Sequence, residues 1–187
     1  MTTSNTEFQF GGINHLALVS SDMERTVDFY TNVLGMPLIK TLEIPGGGQH
    51  FFFDCGNGDS IAFFWFPGAP EAAPGIASAG HMPGVGPIVS AHGSMNHVAL
   101  DVAADRFDDY VEKLRDKGVE VSPVINHDDS ETTIAPALHD GVFVRSVYFR
   151  DPDGILLEFA CWTRAFGPDD TSHAPARADG SRAEPVA

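Results

Sequence analysis

Asn14-His15-Leu16-Ala17-Leu18 returns 82 residues later as Asn96-His97-Val98-Ala99-Leu100. Each copy opens an apolar run and is followed by residues at helical spacing, so the chain reads as two tandem versions of one small unit. Like positions in a duplicated unit are related by pseudo-symmetry. The repeat therefore constrains the fold and marks two histidines, His15 and His97, as candidates for a shared role.

The first unit, residues 12–66, begins with a buried strand at 13–19. Ser21-Asp22-Met23-Glu24 has the form of a capping box, Ser with Glu three residues on. Met23, Val27, Tyr30 and Leu34 follow at helical spacing, with Gly35 suited to the helix end and Pro37 just beyond it. Strands are expected over 38–44, 50–55 and 60–66, separated by the glycine-rich turns 46–48 and 56–59. Residues 67–94 are rich in Gly, Pro and Ala and read as a long linker. The second unit, 95–162, repeats the order: a strand at 96–102, a helix with Phe107, Tyr110, Val111 and Leu114 on one face, then strands at 119–125, 142–149 and 155–160. Asp151-Pro152-Asp153-Gly154 supplies the last turn, and 128–139 is a polar insertion. Residues 1–11 and 163–187 read as a flexible lead-in and an extended tail. The fold class is α+β.

Composition excludes several partners. Lys and Arg number 11 against 26 Asp and Glu, a formal net charge of −15. Nucleic acid and anionic membranes are held by basic patches, so neither is expected. Two cysteines, Cys55 and Cys161, are too few for a disulfide framework and read as reduced thiols of a cytoplasmic protein. No signal peptide is expected from residues 1–9, and the longest apolar run, 61–66, is too short to span a bilayer.

Glu158 lies on an apolar strand at the end of the second unit. Two histidines and one carboxylate with open positions form the facial triad used by non-haem iron(II) enzymes. An unpaired Glu158 within Leu156-Leu157-Glu158-Phe159 would be costly to bury, which favours a ligand role. The aromatic cluster of Phe51, Phe52, Phe53, Phe63, Phe64, Trp65 and Phe66 reads as core, with Phe63 and Trp65 as candidates to line a cavity. His92, His127 and His173 fit no pattern and read as surface residues.

Two strand-helix-three-strand units, a His on each first strand, and Asp-Pro-Asp-Gly leading to Glu158 resemble the vicinal oxygen chelate superfamily over about residues 12–162. That family includes glyoxalases, methylmalonyl-CoA epimerases, fosfomycin- and bleomycin-resistance proteins and extradiol dioxygenases. The resemblance implies two βαβββ units forming a curled mixed-sheet half-barrel around a metal, with His15, His97 and Glu158 as ligands. Glyoxalases and epimerases usually place a fourth ligand, Glu or Gln, on the last strand of the first unit. Laying 61–64 over 156–159 puts Phe63 there, which cannot coordinate.

His139, then Val147-Tyr148, Asp151-Pro152-x-Gly154 and Glu158 resemble the extradiol dioxygenase signature, with Ala137 a departure from it. The resemblance implies an Fe(II)-dependent dioxygenase cleaving a catechol-like or hydroquinone-like ring with O2. Mn(II), Zn(II) and Ni(II) are the other candidate metals. Tyr148 would hydrogen-bond the ionised substrate oxygen, and His139 would position the substrate. The family's proton-shuttling histidine has no counterpart at Asp59 or Ser60, which leaves His50 and His81 as substitutes. A homodimer is implied by the same analogy. The alternatives are a glyoxalase-type lyase, isomerase or epimerase, and a non-catalytic binding protein of the resistance type.

Overall fold

The computed structural model describes residues 13–73, 78–86, 88–167 and 170. The expected lead-in, part of the linker and most of the expected tail lie outside them. Among the described residues no helix is long and apolar enough to cross a membrane.

Strand β1 (His15–Val19) leads into helix α1 (Met23–Asp28), which widens into a π turn over Phe29–Val33. Asp22 caps α1, its carboxylate accepting from Arg25 N–H at 3.1 Å. The expected capping residue, Ser21, is engaged elsewhere. The π turn closes with Leu34 N–H on Phe29 O, and Gly35 takes the positive φ (74°) that ends the element. Strands β2 (Leu38–Ile44), β3 (Gly48–Gly56) and β4 (Asp59–Trp65) complete a mixed sheet in the order β1-β4-β3-β2, with β1 and β4 parallel.

The second unit uses β5 (Val98–Asp101), α2 (Phe107–Asp116), β6 (Ile125–His127), β7 (Ile134–Ala135), β8 (Val144–Arg150) and β9 (Leu156–Trp162). Its sheet runs β5-β9-β8-β6-β7, again with a parallel outer pair, so the order of the first sheet recurs with β7 added at the edge. The strand expected at 119–125 is not formed. Val121 makes only an isolated bridge to Phe149, and regular pairing begins at Ile125. Ser122 explains the interruption: its N–H donates to Tyr148 O at 2.8 Å, and its hydroxyl accepts from Tyr148 N–H at 3.0 Å. Pro123 follows with no N–H to offer the ladder. The polar insertion contributes β7.

One core joins the two units. Phe53, Ile61 and Phe63 from the first sheet and Phe149 and Leu157 from the second pack with Met23, Phe29, Tyr30 and Leu114. Side chains alternate along a strand, so the residues one step away point to the opposite faces. Those outward faces carry His15, Phe52, Ala62 and Phe64 on the first sheet, and Tyr148 and Glu158 on the second. Phe63 is therefore a core residue rather than a cavity wall, because Phe52 and Phe64 have the outward phase. Trp65 shares the inward phase, its indole N–H donating to Ser21 O at 3.1 Å.

The turn between β8 and β9 locks the units side by side. Asp153 accepts from the Ser21 hydroxyl and, at 3.2 Å, from Ser21 N–H, while Arg25 Nη2 donates to Pro152 O at 2.6 Å. Tyr30 hydroxyl donates to buried Asp151 at 3.4 Å. Lys117, beyond α2, donates to the π-turn carbonyls of Asn32 and Val33 at 2.7 and 2.6 Å.

Candidate metal centre

His97 precedes β5, and Glu158 sits in the middle of β9, paired in register with Ala99 on one side and Tyr148 on the other. This places the three side chains on one outward face. His97 Nε2 lies 2.9 Å from Glu158 Oε2; the Glu158 side chain is 6% exposed and that of His97 32%. The Tyr148 and His97 rings meet edge to face with centroids 5.6 Å apart.

The electrostatics follow from this burial. Burial works against the Glu158 carboxylate, but the His97 contact at 2.9 Å leads the interactions that outweigh it and hold its pKa below the ordinary carboxylate value. Burial first, and the Glu158 charge second, push Tyr148 up to about 12. Tyr148 is thus a phenol that keeps its proton at neutral pH and can donate a hydrogen bond.

The donor set fits a divalent cation. A neutral imidazole and a carboxylate are ligands of Fe(II), Mn(II), Zn(II) and Ni(II). His97 Nδ1 is occupied by Asn96 Oδ1 at 2.7 Å, which leaves Nε2 as the nitrogen facing Glu158. A proton or a metal ion between Nε2 and Oε2 satisfies both. Among the described residues, however, no group of three or more His, Cys, Asp or Glu side chains is close enough to hold a metal. His97 and Glu158 come together, and His15 stands on the other sheet.

His15 occupies a matching half-site. It pairs in register with Ser60, two positions before Ala62, and Ala62 pairs with Phe52. Asn14 Oδ1 takes His15 Nδ1 at 2.8 Å, and the Phe52 ring meets His15 edge to face at 5.5 Å. His15, Phe52 and Ala62 thus repeat the places of His97, Tyr148 and Glu158. The residue corresponding to Glu158 is Ala62, not Phe63: the expected alignment of β4 was one residue out of phase. Alanine offers no donor either, so this position adds no fourth ligand.

The other histidines are dispersed. His50 stacks on Phe64 at 3.6 Å on the His15 face, and its Nε2 is buried without a partner. Burial first, and His15 second, lower its pKa. His139 is committed to the loop before β8, with Nε2 3.2 Å from Asp128 and Nδ1 accepting from Gly141 N–H at 3.0 Å. His81 is exposed in the linker, its ring against Gly86. The linker also covers part of the site face, where Ala79 and Met82 pack with Ile125, Tyr148 and Leu156.

His127 is a residue that sequence reasoning missed. It is half-buried on β6, two positions after Ile125, which pairs with Ser146; His127 therefore shares the face of Tyr148 and Glu158. Burial lowers its pKa, while the Glu158 charge works in the other direction. The alternation of Ile125 and His127 was the available signal. Cys55 and Cys161 are both free thiols, raised in pKa by burial.

Comparison with known proteins agrees with this architecture. Lactoylglutathione lyase of Escherichia coli O157:H7 is 29% identical over 146 residues, covering 77% of this chain and 87% of the relative. The "Putative ring-cleaving dioxygenase MhqE" of Bacillus subtilis (strain 168) is 34% identical, but over only 76 residues, 38% of this chain and 25% of that protein. The crystal structure of the fosfomycin resistance protein FosX from Listeria monocytogenes superposes with a TM-score of 0.52 at 22% identity, covering 83% of this chain and 96% of that one, a likeness of fold. The family model described as Glyoxalase/Bleomycin resistance protein/Dioxygenase superfamily matches residues 12–159, and the chain belongs to that superfamily.

Proposed function

We propose that the chain is a metal-dependent dioxygenase of extradiol type whose ligands, His15, His97 and Glu158, meet between two copies of the chain. The observation that carries this reading is the His97–Glu158 pair at 2.9 Å on an outward face, with the His15 half-site on the outward face of the other sheet. Both inward faces are consumed by the shared core. A second chain laying its first sheet over this second sheet supplies the missing imidazole. The surroundings of His15 support this: Val19, Leu42 and Phe66 are exposed there, an apolar face that water does not favour.

Three protein ligands leave coordination positions open, because Ala62 supplies none. When bound, Fe(II) would acidify a catechol hydroxyl and hold the substrate beside O2. Tyr148, protonated at neutral pH, donates to the ionised substrate oxygen. Ile125, Leu156, Ala79 and Met82 pack around the Tyr148 ring and fix its position on the site face. Of His50, His81 and His139, His50 is the one on the His15 face with an unpartnered ring nitrogen. Both nitrogens of His139 are occupied by its own loop, so we assign it to loop structure.

A second reading is a lyase or transferase of the same superfamily. It is favoured by relatives matched over most of their length: the lactoylglutathione lyase, and the Metallothiol transferase FosB of Lysinibacillus sphaericus (strain C3-41), 28% identical over 79% of each chain. The test is to load the full chain anaerobically with Fe(II) and offer a panel of catechols and hydroquinones. Oxygen uptake that depends on substrate, with about one iron per chain, supports the dioxygenase. Tight Zn(II) or Ni(II) binding with no oxygen uptake moves the assignment to the second reading.

A further inference from the structure

The repeated Asn-His step contains two residues that the metal reading leaves unused, the asparagines. In each copy the asparagine side chain folds back onto the imidazole that follows it. Asn14 Oδ1 lies 2.8 Å from His15 Nδ1, and Asn96 Oδ1 lies 2.7 Å from His97 Nδ1. The same atoms meet at nearly the same distance on two separate sheets.

The orientation of the Asn96 amide is set independently. Its Nδ2 donates to Ile88 O at 2.7 Å and to Ser90 Oγ at 2.9 Å. A carbonyl oxygen only accepts, so the side of the amide facing Ile88 must be the NH2 and the side facing His97 must be the oxygen. An amide oxygen also only accepts, so His97 Nδ1 carries a proton and donates it. The lone pair of the ring is then confined to Nε2, the nitrogen 2.9 Å from Glu158. Asn96 is also tied to the linker through its backbone, where its carbonyl accepts from Ala79 N–H at 3.2 Å.

We propose that Asn14 and Asn96 are positioning residues for the metal centre, each fixing the tautomer and tilt of its histidine, and that Asn96 couples linker residues 88–90 to that centre. The inference rests on the metal reading above. Loss of a partner of this kind weakens metal binding about 10- to 100-fold. A linker displaced from Asn96 would release the His97 ring in the same way.

The test uses the full chain with Zn(II) as probe. Zn(II) dissociation constants are measured by chelator competition for wild type, Asn96→Ala, Asn96→Asp and Asn14→Ala. Nitrogen-15 NMR of the imidazoles identifies the metal-bound nitrogen. We expect Nε2 on the metal in wild type with a protected Nδ1–H. Asn96→Ala raises the dissociation constant about 10- to 100-fold and exposes that proton to exchange, and Asn96→Asp, which keeps an acceptor, restores both. Asn14→Ala has the same effect at His15, and carries the test by itself should Asn96→Ala lose its cooperative urea transition. Wild-type affinity in both alanine variants, or Zn(II) held through Nδ1, overturns this inference and leaves the metal reading standing. A wild-type chain that takes up no Zn(II) overturns the metal reading and this inference with it.

Discussion

Asp151→Asn should make the protein more stable at neutral pH and leave it nearly unchanged near pH 4. Asp151 is 5% exposed, in the turn that docks on α1. Burial raises its pKa to about 6 from the ordinary 3.8, against the pull of the Ile155 and Asp153 N–H donors. The folded chain therefore binds the Asp151 proton more tightly than the unfolded chain does. Below the unfolded value both states are protonated and the charge costs nothing. As pH rises through this window the unfolded state ionises first, and stability falls until the folded carboxyl has also ionised. A shift of about two units corresponds to about 3 kcal/mol at pH 7. Asparagine keeps Oδ1 as acceptor for Asp153 N–H and Ile155 N–H, at 2.9 and 2.8 Å in the wild type, and places an amide beside the Tyr30 hydroxyl, which can accept. We expect a gain of roughly 1–3 kcal/mol at pH 7, shrinking toward zero by about pH 4. Urea unfolding at fixed chain concentration, at half-unit steps from pH 4 to 7.5, reads it. A variant that is destabilised by the same amount at every pH would refute the reasoning, since it would show that the Asp151 charge is stabilised where it lies.

Two further outcomes follow from the geometry. Tyr148→Phe should retain metal and lower kcat about 100-fold, as loss of a preorganised donor does; unchanged turnover in a steady-state assay would return Tyr148 to a packing role. Lys117→Ala should cost about 1 kcal/mol in urea unfolding, because it removes the donor to the π-turn carbonyls at Asn32 and Val33; an unchanged midpoint would show that this tie between the units contributes nothing.

The repeat at Asn14-His15 and Asn96-His97 made the duplicated architecture legible, since each copy opens a first strand and each is followed by a helix. Glu158 was legible because a carboxylate inside Leu156-Leu157-Glu158-Phe159 needs a partner, and His97 provides one at 2.9 Å. The phase of β4 was not. Matching apolar letters put Phe63 opposite Glu158, whereas the pairing of His15 with Ser60 puts Ala62 there. Register is a property of two strands and is not written in either alone. The same holds for 119–125, where apolar residues suggested a strand and Ser122-Pro123 replaced the ladder with a side-chain bond. His127 belongs to no motif, and only its alternation with Ile125 on β6 puts it on the site face. The docking of Asp151-Pro152-Asp153 against α1 could not be read, because it joins surfaces more than 120 residues apart.

The central claim is that one metal site takes His15 from one chain and His97 with Glu158 from another. Complementation tests it most directly. His15→Ala and Glu158→Ala chains are prepared separately, shown to bind no stoichiometric metal, then unfolded together, refolded and loaded with Fe(II). A shared site leaves each mixed dimer one intact ligand set, so random reassortment should restore about one quarter of the wild-type metal content and turnover. Mixtures as empty and inactive as the single variants would contradict the account and place all three ligands within one chain.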